Sequence, residues 1–393
     1  MNIQLQNTNY FPHLGGVQWI MAHMARELLR RGHGVSVLCK ADDGMPTRSE
    51  WEGAQVRRHP AMELSGRGWV FEPWHDVRTV TDYLRSDGHG QEMLWPIHET
   101  YAVASARALP QRPMMYIVQH NTSRMIGLNW QFTSWSSRLA KKAVQWQWAQ
   151  IQREALHAAP VVVTWAQITK DDMVRCFGVD PRKVHVVLPG PGTWHPTNEQ
   201  AATSLRATLA IPEKAAVVLS SARLVPNKNV AMLVRAMAHL KDREAVLVIL
   251  GGGPEQLSLE CLAKELGVRA RVRFAGRQHE VAAYYELADV FVFPSVFEGF
   301  GIVLLEAMAM GKPCIGLKAD YPHVVTATEE VIEEGQTGFC VDPYSIQELA
   351  DRIDVLIADD TLRQRMGEHG RQRCHDVFRW DRHVDQLLEL AKN

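Results

Sequence analysis

The sequence predicts an α/β protein of two doubly wound, parallel-sheet domains. Three observations lead there: short β-branched runs alternate with helical stretches along the whole chain, 393 residues exceed what one core usually holds, and Pro189-Gly190-Pro191-Gly192 continues neither helix nor strand, as an interdomain linker should. The expected strands are Met1 to Gln6, Gly34 to Cys39, Met114 to Gln119, Val161 to Thr164 and Val184 to Leu188 before the linker. After it come Ala216 to Ser220, Ala245 to Leu250, Val272 to Phe274 and Val290 to Phe293. The domains are expected at 1–190 and 191–375.

Several strands empty into turns rich in glycine or charge. The first runs into Asn9 to Gln18, where Gly15 and Gly16 at a strand-to-helix turn bring backbone amides close to an anion, or form a plain turn. His98-Glu99 and His120 follow later strands; a histidine at a strand end serves either a ligand or the local hydrogen-bond network. Arg223 and Lys228 sit in the turn after Val217 to Ser220, as two cations for a phosphate or as ordinary surface charges. The turn Leu250 to Glu255 lacks the third glycine of a dinucleotide fingerprint, because Gln256 stands there.

The densest signal is Asp289 to Gly316. A strand ends at Pro294, Glu298 opens a turn, Gly299 and Gly301 lead into a helix reaching Met310, and Gly311-Lys312-Pro313 ends it. The first amides of that helix have no intrahelical partner and carry the positive end of its dipole, so an anion fits there. Side chains lean back toward a helix N-terminus, which lets Glu306 reach a ligand that Glu298 approaches from the loop. A carboxylate among Ile302, Val303, Leu304, Leu305, Ala307 and Met308 costs a few kcal/mol if buried without a partner, and a sugar hydroxyl is a suitable one. The plainer alternative makes Glu306 a surface carboxylate and Glu298 a helix cap.

Charge is balanced, 43 basic against 44 acidic side chains, which argues against a nucleic-acid binder. Residues 1–190 carry 21 basic and 16 acidic side chains, a net of +5, and the rest 22 and 28, a net of −6; the excess is too small to choose between anionic acceptors and a membrane surface. The six cysteines are scattered without C-x-x-C or metal-ligand spacing and read as thiols of a reducing compartment. No signal peptide and no run near 18 apolar residues is seen, so a cytoplasmic location is expected. Eleven of the twelve tryptophans lie at or before Trp194; Trp130, Trp135, Trp146 and Trp148 cluster near Lys141 and Lys142, as helix packing, sugar stacking or headgroup contact.

Glu298 to Glu306 resembles the E-x7-E signature of family 4 retaining glycosyltransferases of the GT-B fold, which use nucleotide-diphosphate sugars. Other segments fit the same family in the same order, over nearly the whole chain. The resemblance implies two Rossmann-like domains facing a central cleft, acceptor on the first and donor on the second, with a terminal helix at about 376–393 crossing back to the first. It implies that Arg223 and Lys228 bind the donor diphosphate without a metal, that Glu298 orients the donor sugar and Glu306 the ribose, and that Gly299, Phe300, Gly301, Ile302 and Val303 line the donor site. It further implies that Gly15 and Gly16 close on the donor, that His120 lies near the reacting sugar through a hydrogen bond or its carbonyl, and that Arg277 lies beside the base. Pro189 to Gly192 departs from the Asn-Gly-x-Asp type turn common in these relatives.

The function expected is transfer of a sugar, from UDP by preference, to a small polar acceptor such as an aminocyclitol or sugar intermediate, with no cofactor. Lipid-linked or polysaccharide acceptors, a nucleotide-sugar epimerase, a sugar-binding module and, more distantly, a nicotinamide-dependent oxidoreductase are the alternatives.

Overall fold

A computed structural model describes residues 1–12, 15–42, 44–60, 72–86, 91–129, 135–192 and 199–392. The chain divides into two compact domains, one of Met1–Pro189 with Trp380–Asn393, the other of Gly190–Arg379.

The first domain holds β1 (Asn2–Gln6), β2 (Gly34–Lys40), β3 (Arg48–Trp51), β4 (Ala54–His59) and β5 (Met93–Pro96) in the order β3-β4-β2-β1-β5, then β6 (Met115–Ile117), β7 (Val161–Thr164) and β8 (Val184–Val186) side by side. A parallel bridge from Leu94 to Met114 joins the two groups. Its helices are α1 (Gly16–Arg30), α2 (Glu72–Ser86), α3 (Glu99–Ala108), α4 (Thr122–Asn129), α5 (Trp135–Ala158) and α6 (Gln167–Phe177).

The second domain has α7 (Glu199–Thr208), β9 (Val217–Ser221), α8 (Val230–His239), β10 (Val246–Leu250), α9 (Gln256–Glu265), β11 (Val272–Gly276), α10 (Ala282–Leu287), β12 (Val290–Phe293), α11 (Ile302–Ala309), β13 (Cys314–Leu317), α12 (Thr328–Val331), β14 (Gly338–Val341), α13 (Ile346–Ala358) and α14 (Asp360–Asp376). Its strands form one sheet in the order β11-β10-β9-β12-β13-β14, each pair parallel. Helices on both sides bury the sheet, so β10 and β12 read as unbroken apolar runs. Ser345 caps α13 by accepting from Glu348 N at 3.1 Å, and Asp359 caps α14 by accepting from Leu362 N at 2.9 Å.

The last helix, α15 (Trp380–Leu390), belongs to the first domain and packs on α1. Its Asp385 accepts from Arg31 at 2.9 Å, and Trp380 stacks on His23 with centroids 5.0 Å apart.

Four strands were not expected from the sequence alone. The edge hairpin β3-β4 turns on Glu52 and Gly53, both at positive φ, and its charged, exposed residues hide the period of two. Strands β13 and β14 are cut by glycines that packing demands, since a Cβ on Gly338 would meet Cys314 O at 1.8 Å and one on Gly316 would meet Thr328 Cγ2 at 2.4 Å.

Candidate active site

In the second domain the chain builds outward from β9 to β10 and β11, then returns to lay β12, β13 and β14 on the other side. The order therefore reverses between β9 and β12, and it is at such a reversal that open α/β sheets hold a ligand crevice outside the carboxyl ends of their strands. The first loop carries Arg223 and Lys228, the second Glu298. Residues 70 apart in the chain thus meet: Lys228 Nζ donates to Glu298 Oε2 across the switch, the two side chains being 19% and 22% exposed. Lys228 also lies 5.3 Å from the centroid of Phe293.

Buried contacts hold the two loops in register. Asn227 donates to Phe297 O at 2.8 Å, the Ser295 hydroxyl bonds to Asn227 O and to Phe297 O at 3.1 Å each, and Val296 N donates to Asn227 O at 2.9 Å. Asn227 and Ser295 were missed in the sequence, where each reads as an ordinary turn residue. Beyond them Glu298 N donates to Val325 O at 2.9 Å.

Gly301 caps α11 at φ +88°, and a Cβ there would also crowd Leu304 and Phe293 at 3.3 and 3.4 Å. No side chain caps this end, so the first amides of α11 remain unclaimed by a cap. Ile302 and Val303 are half-buried beside them, and Gly299 is buried. Phe300 is 2% exposed and packs edge-on against Phe378 at 6.0 Å, so a ligand meets this position through its backbone. Glu306 receives the hydroxyl of Tyr285 at 2.8 Å. Tyr285 is fully buried, and burial together with Glu306 drives its pKa well above the ordinary value, which keeps the phenol a donor. The sequence offered no sign of that partnership, since Tyr285 precedes Glu306 by 21 residues on a different helix.

The glycines of the β10 turn serve the same crevice from below. A Cβ on Gly251 would meet Ala222 O at 1.9 Å and one on Gly253 would meet Leu224 O at 2.3 Å, while Leu224 N donates to Gly252 O at 3.1 Å. They seat the Arg223 loop rather than a dinucleotide. Arg223 and Arg277 are exposed, and neither side chain makes an ion pair among the described residues. Arg277 lies over Gly252, where a Cβ would stand 3.8 Å from its Cγ.

In the first domain Gly15 and Gly16 open α1, again without a side-chain cap. Gly15 is extended at φ −173°, and a Cβ on Gly16 would meet nothing within 4 Å. His120 is half-buried, and its carbonyl accepts from Gln152 at 2.7 Å, so that oxygen is engaged inside the domain. Gln152 also accepts from Thr122 N at 3.1 Å and so clamps the loop. His98 is a helix cap, its Nδ1 accepting from Thr100 N at 3.3 Å. Of the tryptophan cluster, Trp130 lies outside the described residues, Trp148 packs on the His98 ring at 5.5 Å, and Trp146 is 62% exposed. No helix among the described residues is long and apolar enough to cross a membrane.

Residues 14–191 match Glycosyltransferase Family 4, and residues 202–373 match Glycosyl transferases group 1. A D-inositol 3-phosphate glycosyltransferase of Corynebacterium glutamicum is 33% identical over 61% of this chain and 58% of its own length. Another of that name, from Xylanimonas cellulosilytica, is 27% identical over 96% of this chain and 91% of its own. An N-acetyl-alpha-D-glucosaminyl L-malate synthase of Bacillus anthracis is 34% identical over 47% of each chain. Among solved structures, sucrose-phosphate synthase of Thermosynechococcus elongatus superposes with a TM-score of 0.79 at 22% identity, over 100% of this chain and 98% of that one. WaaG, a glycosyltransferase of lipopolysaccharide biosynthesis, superposes at 0.75 and 19% identity over the full length of both. With two family matches that together span most of the chain and a fold shared end to end with such enzymes, this protein belongs to glycosyltransferase family 4 and has the GT-B fold.

Proposed function

We propose that the protein is a retaining hexosyltransferase that moves a sugar from a nucleotide diphosphate, UDP by preference, to a hydroxyl of a small polar acceptor. The observation that carries this reading is the Lys228–Glu298 pair across the β9/β12 switch point. Each charge holds the other while no donor is present. A diphosphate draws Lys228 away, which releases Glu298 to accept from hydroxyls of the donor sugar. Arg223, Lys228 and the α11 amides then gather the negative charge that grows on the leaving diphosphate, and groups fixed in advance need no reorganisation at that moment.

Glu306, steadied by Tyr285, receives the ribose hydroxyls, and Arg277 lies beside the base. The amides at Gly15 and Gly16 and the side chain of His120 are assigned to the donor as well, on the family resemblance. An oxocarbenium-like centre forms as the glycosidic bond breaks, and the acceptor attacks from the face the diphosphate leaves. The departing phosphate oxygen takes the acceptor proton, so neither glutamate is required as a base. The names of the inositol-phosphate and malate relatives support a small hydroxylated acceptor. The free thiols, four of the six buried, support a reducing compartment such as the cytoplasm.

Melting curves with UDP-, GDP- and ADP-sugars test the donor, because a ligand that binds only the folded chain raises the melting temperature. Stabilisation by at least one, followed by nucleotide release that an acceptor accelerates and that EDTA leaves unchanged, is the expected result. No stabilisation by any donor, or an epimerised sugar without free nucleotide, overturns it.

A further inference from the structure

The loop between β1 and α1 is fastened from the edge of the sheet, by the hairpin β3-β4. Strand β3 buries little of its own, since Arg48, Glu50 and Trp51 are exposed, yet the hairpin reaches back to the loop and to α1. Trp51 lays its indole flat on the Phe11 ring, with centroids 4.6 Å apart and planes 3° from parallel. Phe11 in turn meets Trp19 of α1 edge-on at 5.4 Å, and Tyr10 at 5.1 Å.

Two polar ties run beside that stack. Glu52, at the hairpin tip, accepts from Arg26 of α1 through Nε at 2.6 Å and Nη2 at 2.9 Å. Arg58 of β4 is 6% exposed and donates to Phe11 O at 3.1 Å, while its other terminal nitrogen donates to Ser49 Oγ at 2.7 Å and to Pro46 O at 3.2 Å. Phe11 stands four residues before Gly15 and Trp19 three after Gly16, so the hairpin holds the chain on both sides of the glycine pair.

An edge strand is often covered or charged only to prevent pairing with another chain, and β3 carries charges of that kind. That purpose asks nothing of Phe11. Trp51 is 38% exposed, which leaves the Phe11 stack as the packing its indole makes toward the loop. A loop whose amides meet an anion binds better when its ends are set beforehand, because the ordering entropy is then lost on folding and not on binding. We infer that the hairpin is a splint for the β1–α1 loop and that Trp51 is a positioning residue, fixing Phe11 and through it the place of the Gly15 and Gly16 amides. The inference rests on the glycosyl-transfer reading, in which those amides are assigned to the donor.

Hydrogen exchange on the full chain, wild type against Trp51→Ala and Trp51→Phe, tests the splint. The reporter is the peptide that carries Trp19, whose amide donates to Gly15 O at 3.2 Å. Its exchange should quicken about three- to tenfold in Trp51→Ala, the range an aromatic pair spans, and return toward the wild-type rate in Trp51→Phe, which keeps a stacking face. Peptides of β2 and β5 should not change, as a folded variant requires. Calorimetric titration with UDP, GDP and ADP, each beside its monophosphate, reads the consequence: Trp51→Ala weakens the diphosphate that binds by a similar factor and leaves its monophosphate unchanged. Unaltered exchange at Trp19, or quickened exchange that Trp51→Phe does not restore, overturns the splint. A loosened loop with undiminished diphosphate affinity overturns its role toward the donor. If the wild-type chain binds no diphosphate, the transfer reading falls first, and exchange still decides the splint.

Discussion

Both domains are built on parallel strands flanked by helices but treat their strand-end loops differently. At the switch point of the second domain, the loops after β9 and β12 are tied by Lys228 to Glu298, Asn227 to Phe297 and Ser295 to both backbones, and Gly251, Gly253 and Gly301 are each imposed by close packing or positive φ. In the first domain, the loop after β1 ends in Gly15 and Gly16, where neither a positive φ nor backbone packing calls for glycine. Glycine therefore means two things in one protein. In the second domain it lets a preorganised crevice exist, and in the first it leaves backbone amides uncovered.

The contrast breaks most sharply at Lys228. Lys228→Ala should lower kcat by about 10²–10³-fold, the scale of a lost leaving-group stabiliser. Stability should fall far less, because a partly exposed ion pair is worth about 1 kcal/mol or less. Unchanged turnover at saturating donor would remove Lys228 from the leaving-group role.

Acid should separate the domains next. Burial lowers His23 and His383 of the first domain to about 4, with Arg26 adding to the effect at His23. Between that value and the unfolded value of about 6.5 the unfolded chain binds more protons, so stability is complete above this window and declines as pH falls through it, by up to about 3 kcal/mol per histidine. All tryptophans but Trp194 belong to the first domain, so a fluorescence melt followed from pH 7 to 4.5 should show that domain losing stability. A flat profile would contradict the buried neutral histidines.

The smallest effects compare the two glycines directly. Gly301→Ala must hold an alanine in the left-handed region, at a cost of about 1–2 kcal/mol. Gly16→Ala should be neutral or raise stability by up to about 1 kcal/mol, alanine being the better helix former, yet weaken donor binding where a methyl group intrudes on the amides. Calorimetric melts with and without nucleotide sugar measure both. Full donor affinity in Gly16→Ala would take that loop out of the donor's surroundings.

Much of the fold was legible because parallel strands buried on both faces must be continuous apolar runs. Val161–Thr164 and Val290–Phe293 were recognisable residue for residue. The hairpin β3-β4 was not, since its edge is charged, and β13 and β14 were not, since glycines interrupt them. At the site, Glu298, Glu306, Arg223 and Lys228 stood out through residue type and spacing. Their companions Tyr285, Asn227 and Ser295 did not, because a buried hydrogen-bond donor has no signature outside the contact it makes.

By itself, then, the sequence determined the class of architecture and which charged and glycine-rich turns face a ligand, because hydrophobic periodicity and turn chemistry are local properties. Only the tertiary structure decided that Lys228 answers Glu298 and that Tyr285 holds Glu306. Strand order is settled by how whole elements pack, and that order determines which loops become neighbours.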